Sequence, residues 1–105
     1  MNSVPSLPEP AAGEPILLPP SGTLIAAEEL QPLLVLAIDR GDGLRLDAAA
    51  VENVGQAMLQ LLVAARREAE AAGQTFVIAD PSPAFRERVS ACRLEAALGL
   101  APVTE

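Results

Sequence analysis

Four carboxylates stand where a small domain of strands and helices would put groups with work to do. Asp39, Asp47, Glu52 and Asp80 fall at the expected ends of elements, and a pair of such groups can pass a proton or hold Mg²⁺. A plainer role suits the same positions, because a carboxylate that ends a strand accepts backbone N–H bonds from the loop that follows. That role is expected of Asp47 and Asp80, and a small enzyme or ligand carrier built on the two is the weaker alternative. The remaining catalytic inventory is thin. The chain has no His, so the usual general base is missing. Its single cysteine, Cys92, can form neither an internal disulfide nor a zinc cluster and reads as a buried or half-buried thiol on a helix. No G-x-x-x-x-G-K, G-x-G-x-x-G or G-x-S-x-G pattern occurs to cradle phosphate or present a nucleophile. The expectation is no catalytic residue, no cofactor and no metal.

Composition narrows the partner. The 105 residues, half of them hydrophobic, suit one domain with a real core. Seven Arg and no Lys face fourteen acidic residues, for a formal charge of −7, which repels phosphate backbones and anionic lipid surfaces. Phe76 and Phe85 are the only aromatic residues, too few for a base-stacking platform. Nucleic acid is thereby set aside and a protein partner is expected. The opening residues MNSVPSLPEPAAGE lack both a basic and an apolar region of a secretory signal. The longest apolar stretch, Leu30 to Ile38, contains Pro32 and is far shorter than the roughly 20 residues of a membrane span. A cytoplasmic protein with no direct membrane insertion is expected.

The elements that must position these residues follow from local pattern. Pro5, Pro8 and Pro10 punctuate an opening without periodicity, read as a flexible arm over residues 1–13, ahead of a domain over 14–100 and a tail over 101–105. Ile16 to Leu18, stopped by Pro19 and Pro20, suits a short edge strand. Ala27, Leu30, Leu34 and Ile38 recur at helical spacing between Ala26 and Arg40, with Glu28, Glu29 and Gln31 in the leading turns; Pro32 implies a later start or a kink. Leu44 to Asp47 alternates as a strand. A helix from Gly55 to Ala72 is closed by Gly73, with Asn53 and Gln56 at capping-box spacing. Thr75 to Ala79 is a third strand. Ser82 can then cap, and Pro83 can open, a helix whose Phe85, Val89 and Cys92 share one face; a short helix or turn spans Leu94 to Leu100. On the Gly55 helix, Val54, Met58, Leu61, Leu62, Ala65 and Ala69 form the core stripe. That leaves Gln56, Leu59, Gln60, Val63 and Arg67 on an outer or flanking face.

In order and spacing, L-P-P-S-G-T-L with its following helix, L-R-L-D-A-A-A-V, G-Q-A-M-L-Q-L-L and the A-x-x-G before the third strand resemble a STAS domain, the module of anti-sigma-factor antagonists. Within the family the chain is most similar to the small STAS proteins of alphaproteobacterial chemotaxis operons. The resemblance implies an α/β fold: a small, mostly parallel or mixed sheet of about four strands with helices packed against it. It also implies a switch in which a kinase phosphorylates a Ser or Thr at the start of the second helix. Here those positions are Gly55, Gln56, Ala57 and Met58, without a hydroxyl among them, and Gln56 and Ala57 are the equivalents of the phospho-acceptor. The acidic residue that ordinarily precedes the acceptor is replaced by Gly55.

The reading is a non-catalytic protein-binding module that keeps the docking surface and lacks the switch. Its partner would be a signalling kinase or an anti-sigma-like regulator. The expected partner-binding residues are Asn53, Gly55, Gln56, Leu59, Gln60, Val63 and Ser82, with capping as the plainer account of Ser82. A second reading is a STAS accessory subunit that binds the ATPase of an ABC-type phospholipid transporter.

Overall fold

A computed structural model describes residues 15–41 and 43–100. The expected arm and tail lie outside the described residues. The chain runs β1 (Ile16–Leu17), β2 (Ser21–Gly22), α1 (Leu24–Arg40), β3 (Leu44–Asp47), β4 (Asn53–Val54), α2 (Gln56–Ala71), β5 (Phe76–Ala79), α3 (Pro83–Ala91) and α4 (Glu95–Leu98). Strands β1, β3 and β5 form a parallel sheet in that order, and β2 pairs with β4, also parallel.

The two sheets are one ladder interrupted by chemistry. Leu18 N–H still donates to the Asp47 carbonyl at 2.9 Å, but Pro19 and Pro20 have no N–H to give. Opposite them residues 48–52 bow out, and pairing resumes when the Pro20 carbonyl accepts from Glu52 and Asn53 at 2.8 and 3.1 Å. The backbones then approach closely: a Cβ on Gly22 would lie 3.1 Å from the Val54 Cα. β2 and β4 have no apolar alternation to announce them, and the sequence pattern alone missed both.

The central ladder alternates as a one-sided sheet does. Ile16, Leu18, Leu44, Leu46 and Ile78 are buried, whereas Leu17, Arg45 and Val77 point out and are exposed. The register sets Arg45 beside Val77 and Leu46 beside Ile78, so the buried residues share one face. Helices α1 and α2 pack on each other, α1 against β3 and α2 against β5, closing a core around Leu30, Leu34, Met58, Leu59, Leu62 and Phe85.

Helix α1 begins two residues earlier than the sequence pattern predicts, because Thr23 caps it: its side chain accepts from Ala26 N–H at 3.1 Å. Glu28 and Glu29 therefore lie beyond the first turn, which holds no acidic residue. Pro32 is tolerated inside the helix on its exposed side, where its ring meets solvent rather than the core. Helix α2 ends as its glycine predicts. Gly73 takes φ +72°, its N–H donates to the Glu70 carbonyl and Gln74 N–H reaches back to Ala69, which satisfies carbonyls the helix would leave bare. Gln74 then ties three elements, accepting from Gly43 N–H at 3.2 Å and donating to the Ile38 carbonyl at 2.9 Å.

Candidate functional site

The strands are parallel, so the loops after β3 and β5 and the start of α2 gather at one edge of the sheet. Asp47 behaves as the plainer role requires, its Oδ1 accepting from Ala49 N–H at 2.9 Å across the first turn of the 48–52 loop. The Ala48 carbonyl accepts from both Val51 and Ser82 N–H, and Ala48 N–H donates to Ala79 at 3.1 Å. The loop is thus stitched to the end of β5. Asp80, exposed and at φ +50°, is the turn residue that brings Pro81 and Ser82 back across this edge.

Ser82 is committed to structure. Its hydroxyl accepts from Phe85 N–H at 3.1 Å, capping α3, and donates to the Val51 carbonyl at 2.6 Å. With the residue only 8% exposed, a partner cannot reach this oxygen without breaking the clasp, so its place among exposed docking residues is corrected. The capping role expected of Asn53 is corrected as well. Asn53 lies in β4 rather than capping α2, with its side-chain amide 3.5 Å from the Ser21 hydroxyl. The N-cap of α2 is Gly55, which offers no side-chain hydrogen bond; Gly55 N–H donates to the Gly22 carbonyl at 2.8 Å.

Along α2 the outward face is narrower than spacing alone suggests. Leu59 is 1% exposed: it belongs to the core with Met58 and Leu62, and the expectation that it faces outward is overturned. Helix α4 and the turn that leads into it, with Cys92 and Leu94, wrap the flank of α2 that a two-layer picture leaves open. Val63 is half-buried and packs on the core edge, as does Leu61, while Gln56 and Gln60 are exposed. Arg66 fixes the wrap by donating to the Ala96 carbonyl on α4 and pairing with Glu70 at 3.1 Å.

Between α2 and the turn joining α3 to α4 lies a groove of about 360 Å³. Gln56, Leu59, Gln60 and Val63 line one wall with Ala64 and Arg67, and Cys92 and Leu94 form the other. Four of the expected docking residues therefore meet in one concavity, Leu59 as its floor, while Asn53, Gly55 and Ser82 stay outside it. Cys92, expected to be buried or half-buried, is exposed. Helix α3 stops at Ala91, and Arg93 turns the chain at φ +58°, so the spacing from Phe85 and Val89 is not continued. A glycine at position 93 would have signalled that stop; arginine does not.

Residues 16–102 match the model of the family described as Mlab, STAS domain. The chain belongs to the STAS domain family, and the fold above is that of a small α/β STAS domain. Neither the curated proteins nor the solved structures give a match. STAS domains generally mediate protein–protein interactions and are generally non-catalytic, which makes this a protein-binding module of the anti-sigma-factor-antagonist kind. Among the described residues no helix is long and apolar enough to cross a membrane.

Proposed function

We propose that the protein is a non-catalytic docking module of a cytoplasmic bacterial signalling pathway, of the chemotaxis-associated type, that binds a signalling kinase or anti-sigma-like regulator without being switched by phosphorylation. The groove beside α2 is the observation that carries this reading, because it joins an apolar floor to Gln56, which with Ala57 stands where the resemblance puts the phospho-acceptor. A glutamine there hydrogen-bonds but offers no hydroxyl for a phosphoryl group. Docking through Gln56, Gln60, Val63 and the adjoining Gly55 would then be constitutive.

Two measurements test it. Incubation with the kinase partner and ATP should leave residues 55–58 unmodified in phosphopeptide maps and the complex intact; stoichiometric phosphate on Ser82 would overturn the unswitched reading. Gln60→Arg, on an exposed helical position, should abolish binding while leaving the melting curve nearly unchanged. A second reading, an accessory subunit that binds the ATPase of an ABC-type phospholipid transporter, is favoured by the description of the matched family. Titration of the chain against a signalling kinase or anti-sigma-like regulator and against a transporter ATPase separates the two.

A further inference from the structure

The outer face of α1 is apolar where a solvent-facing helix is ordinarily polar. Leu24, Ile25 and Val35 are 62%, 67% and 50% exposed, and with exposed Pro32 they follow one side of the helix along most of its length. Pro32, Val35 and Leu36 border a shallow groove of about 420 Å³ edged by Gln31 and Asp39. Its charge is one-sided: Glu28 and Asp39 are exposed on the same side, and the single cation of α1, Arg40, is its last residue. Pro32 has no N–H, so the Glu28 carbonyl lacks its ordinary donor four residues on.

We propose that this face docks a partner protein through an amphipathic helix whose apolar ridge is flanked by Lys or Arg, at a surface that shares no residue with the α2 groove. Charge complementarity selects that occupant. A second copy packed α1 on α1 would set Glu28 and Asp39 against acidic residues within a pair already carrying −7 on each chain, a repulsive arrangement. An anionic membrane is met by helices with basic polar faces, the reverse of this one. The fourteen residues before Pro15 contain Glu9 and Glu14 and no Lys or Arg, so they repeat the sign of the face. A basic-flanked helix buries the apolar stripe, meets both carboxylates and brings donors to the Glu28 carbonyl.

The probe is a synthetic peptide of Leu and Lys with leucines at helical spacing, titrated into the intact ¹⁵N-labelled chain. A scrambled peptide of the same composition and a Leu/Glu counterpart serve as controls. The proposal expects shifts centred on Ile25, Glu28 and Val35, at least tenfold weaker binding by both controls, and weakening as salt rises. The double variant Ile25→Lys/Val35→Lys should lose at least tenfold in affinity. Should it fail to fold, Glu28→Gln/Asp39→Asn, which leaves the apolar residues in place, should flatten the salt dependence. Shifts centred on Gln60 and Val63, equal binding by the scrambled peptide, or no binding would overturn the proposal. So would a dimer in ultracentrifugation that Ile25→Lys/Val35→Lys dissolves, or adsorption to phosphatidylglycerol vesicles.

Discussion

Helices α1 and α2 cover the same face of the sheet, are nearly equal in length at 17 and 16 residues, and use their apolar residues in opposite ways. In α2 the large side chains Met58, Leu59 and Leu62 are all within 1% of full burial, and the exposed positions hold Gln56, Gln60, Arg67, Glu68 and Glu70. In α1 the core takes Ala26, Ala27, Leu30 and Leu34, while Leu24, Ile25 and Val35 remain in solvent. The difference follows from neighbours. α2 is flanked by α1 and by α4 with the turn before it, so a broad arc of it is dry; among the described residues α1 packs chiefly on α2, β2 and β3. A surplus of apolar residues is therefore a property of the packing around a helix and not of its sequence, and here it sits on α1.

Substituting the same residue into both helices is the strongest way to break that comparison. Leu59→Arg buries an unpaired charge and should cost about 4 kcal/mol or more, enough to unfold a small domain, whereas Val35→Arg should change stability by no more than about 0.5 kcal/mol. Thermal melts followed by circular dichroism check both, and equal losses would mean α1's outer face is packed.

The strands that launch the helices come next. Gly22→Ala would drive a Cβ to within 3.1 Å of the Val54 backbone, between the starts of α1 and α2. A loss of roughly 1–3 kcal/mol in chemical denaturation is expected; no loss would show that β2 and β4 can part freely. Ser82→Ala removes the cap of α3 and orphans the Val51 carbonyl that holds the loop ahead of α2. The expected cost is about 1–2 kcal/mol, and a neutral result would contradict the structural assignment of this hydroxyl.

The smallest effect is a gain. Arg93 is a non-glycine residue in left-handed backbone, a strained choice. Arg93→Gly should stabilise by about 0.5–1 kcal/mol, offset in part by the entropy glycine adds to the unfolded chain. Denaturant titration reads the sign, and destabilisation would mean the Arg93 side chain holds the α3–α4 turn.

How much of this the sequence could reveal depended on whether the deciding physics was local. Strand β3 was predicted at its observed bounds because Leu44 and Leu46 alternate with Arg45 and Asp47. The ends of α2 and the start of α3 came from glycine at position 73 and the Ser82-Pro83 pair, whose effects act within a few residues. Thr23 was passed over as a cap because Leu24 and Ile25, the first residues of α1, are apolar on the solvent side and break the expected amphipathic pattern. Leu59 was misplaced for a non-local reason: its burial goes with α4 and the turn before it, distant in sequence and themselves weak in pattern. The groove's far wall, Cys92 and Leu94, was hidden by the same turn at Arg93. Gln56, Gln60 and Val63 were legible because they flank the α2 core stripe whatever covers it.

Docking of partners at the groove beside α2, as proposed above, is tested most directly by site-specific photo-crosslinking in the native cell. A benzophenone side chain placed at Gln60 or Ala64, with Arg86 on α3 as the control position, would capture whatever lies against each surface, and mass spectrometry would identify it. Positions 60 and 64 should crosslink to the same signalling kinase or regulator, and position 86 should not. Capture of that partner from position 86, with positions 60 and 64 silent, would contradict the proposed docking.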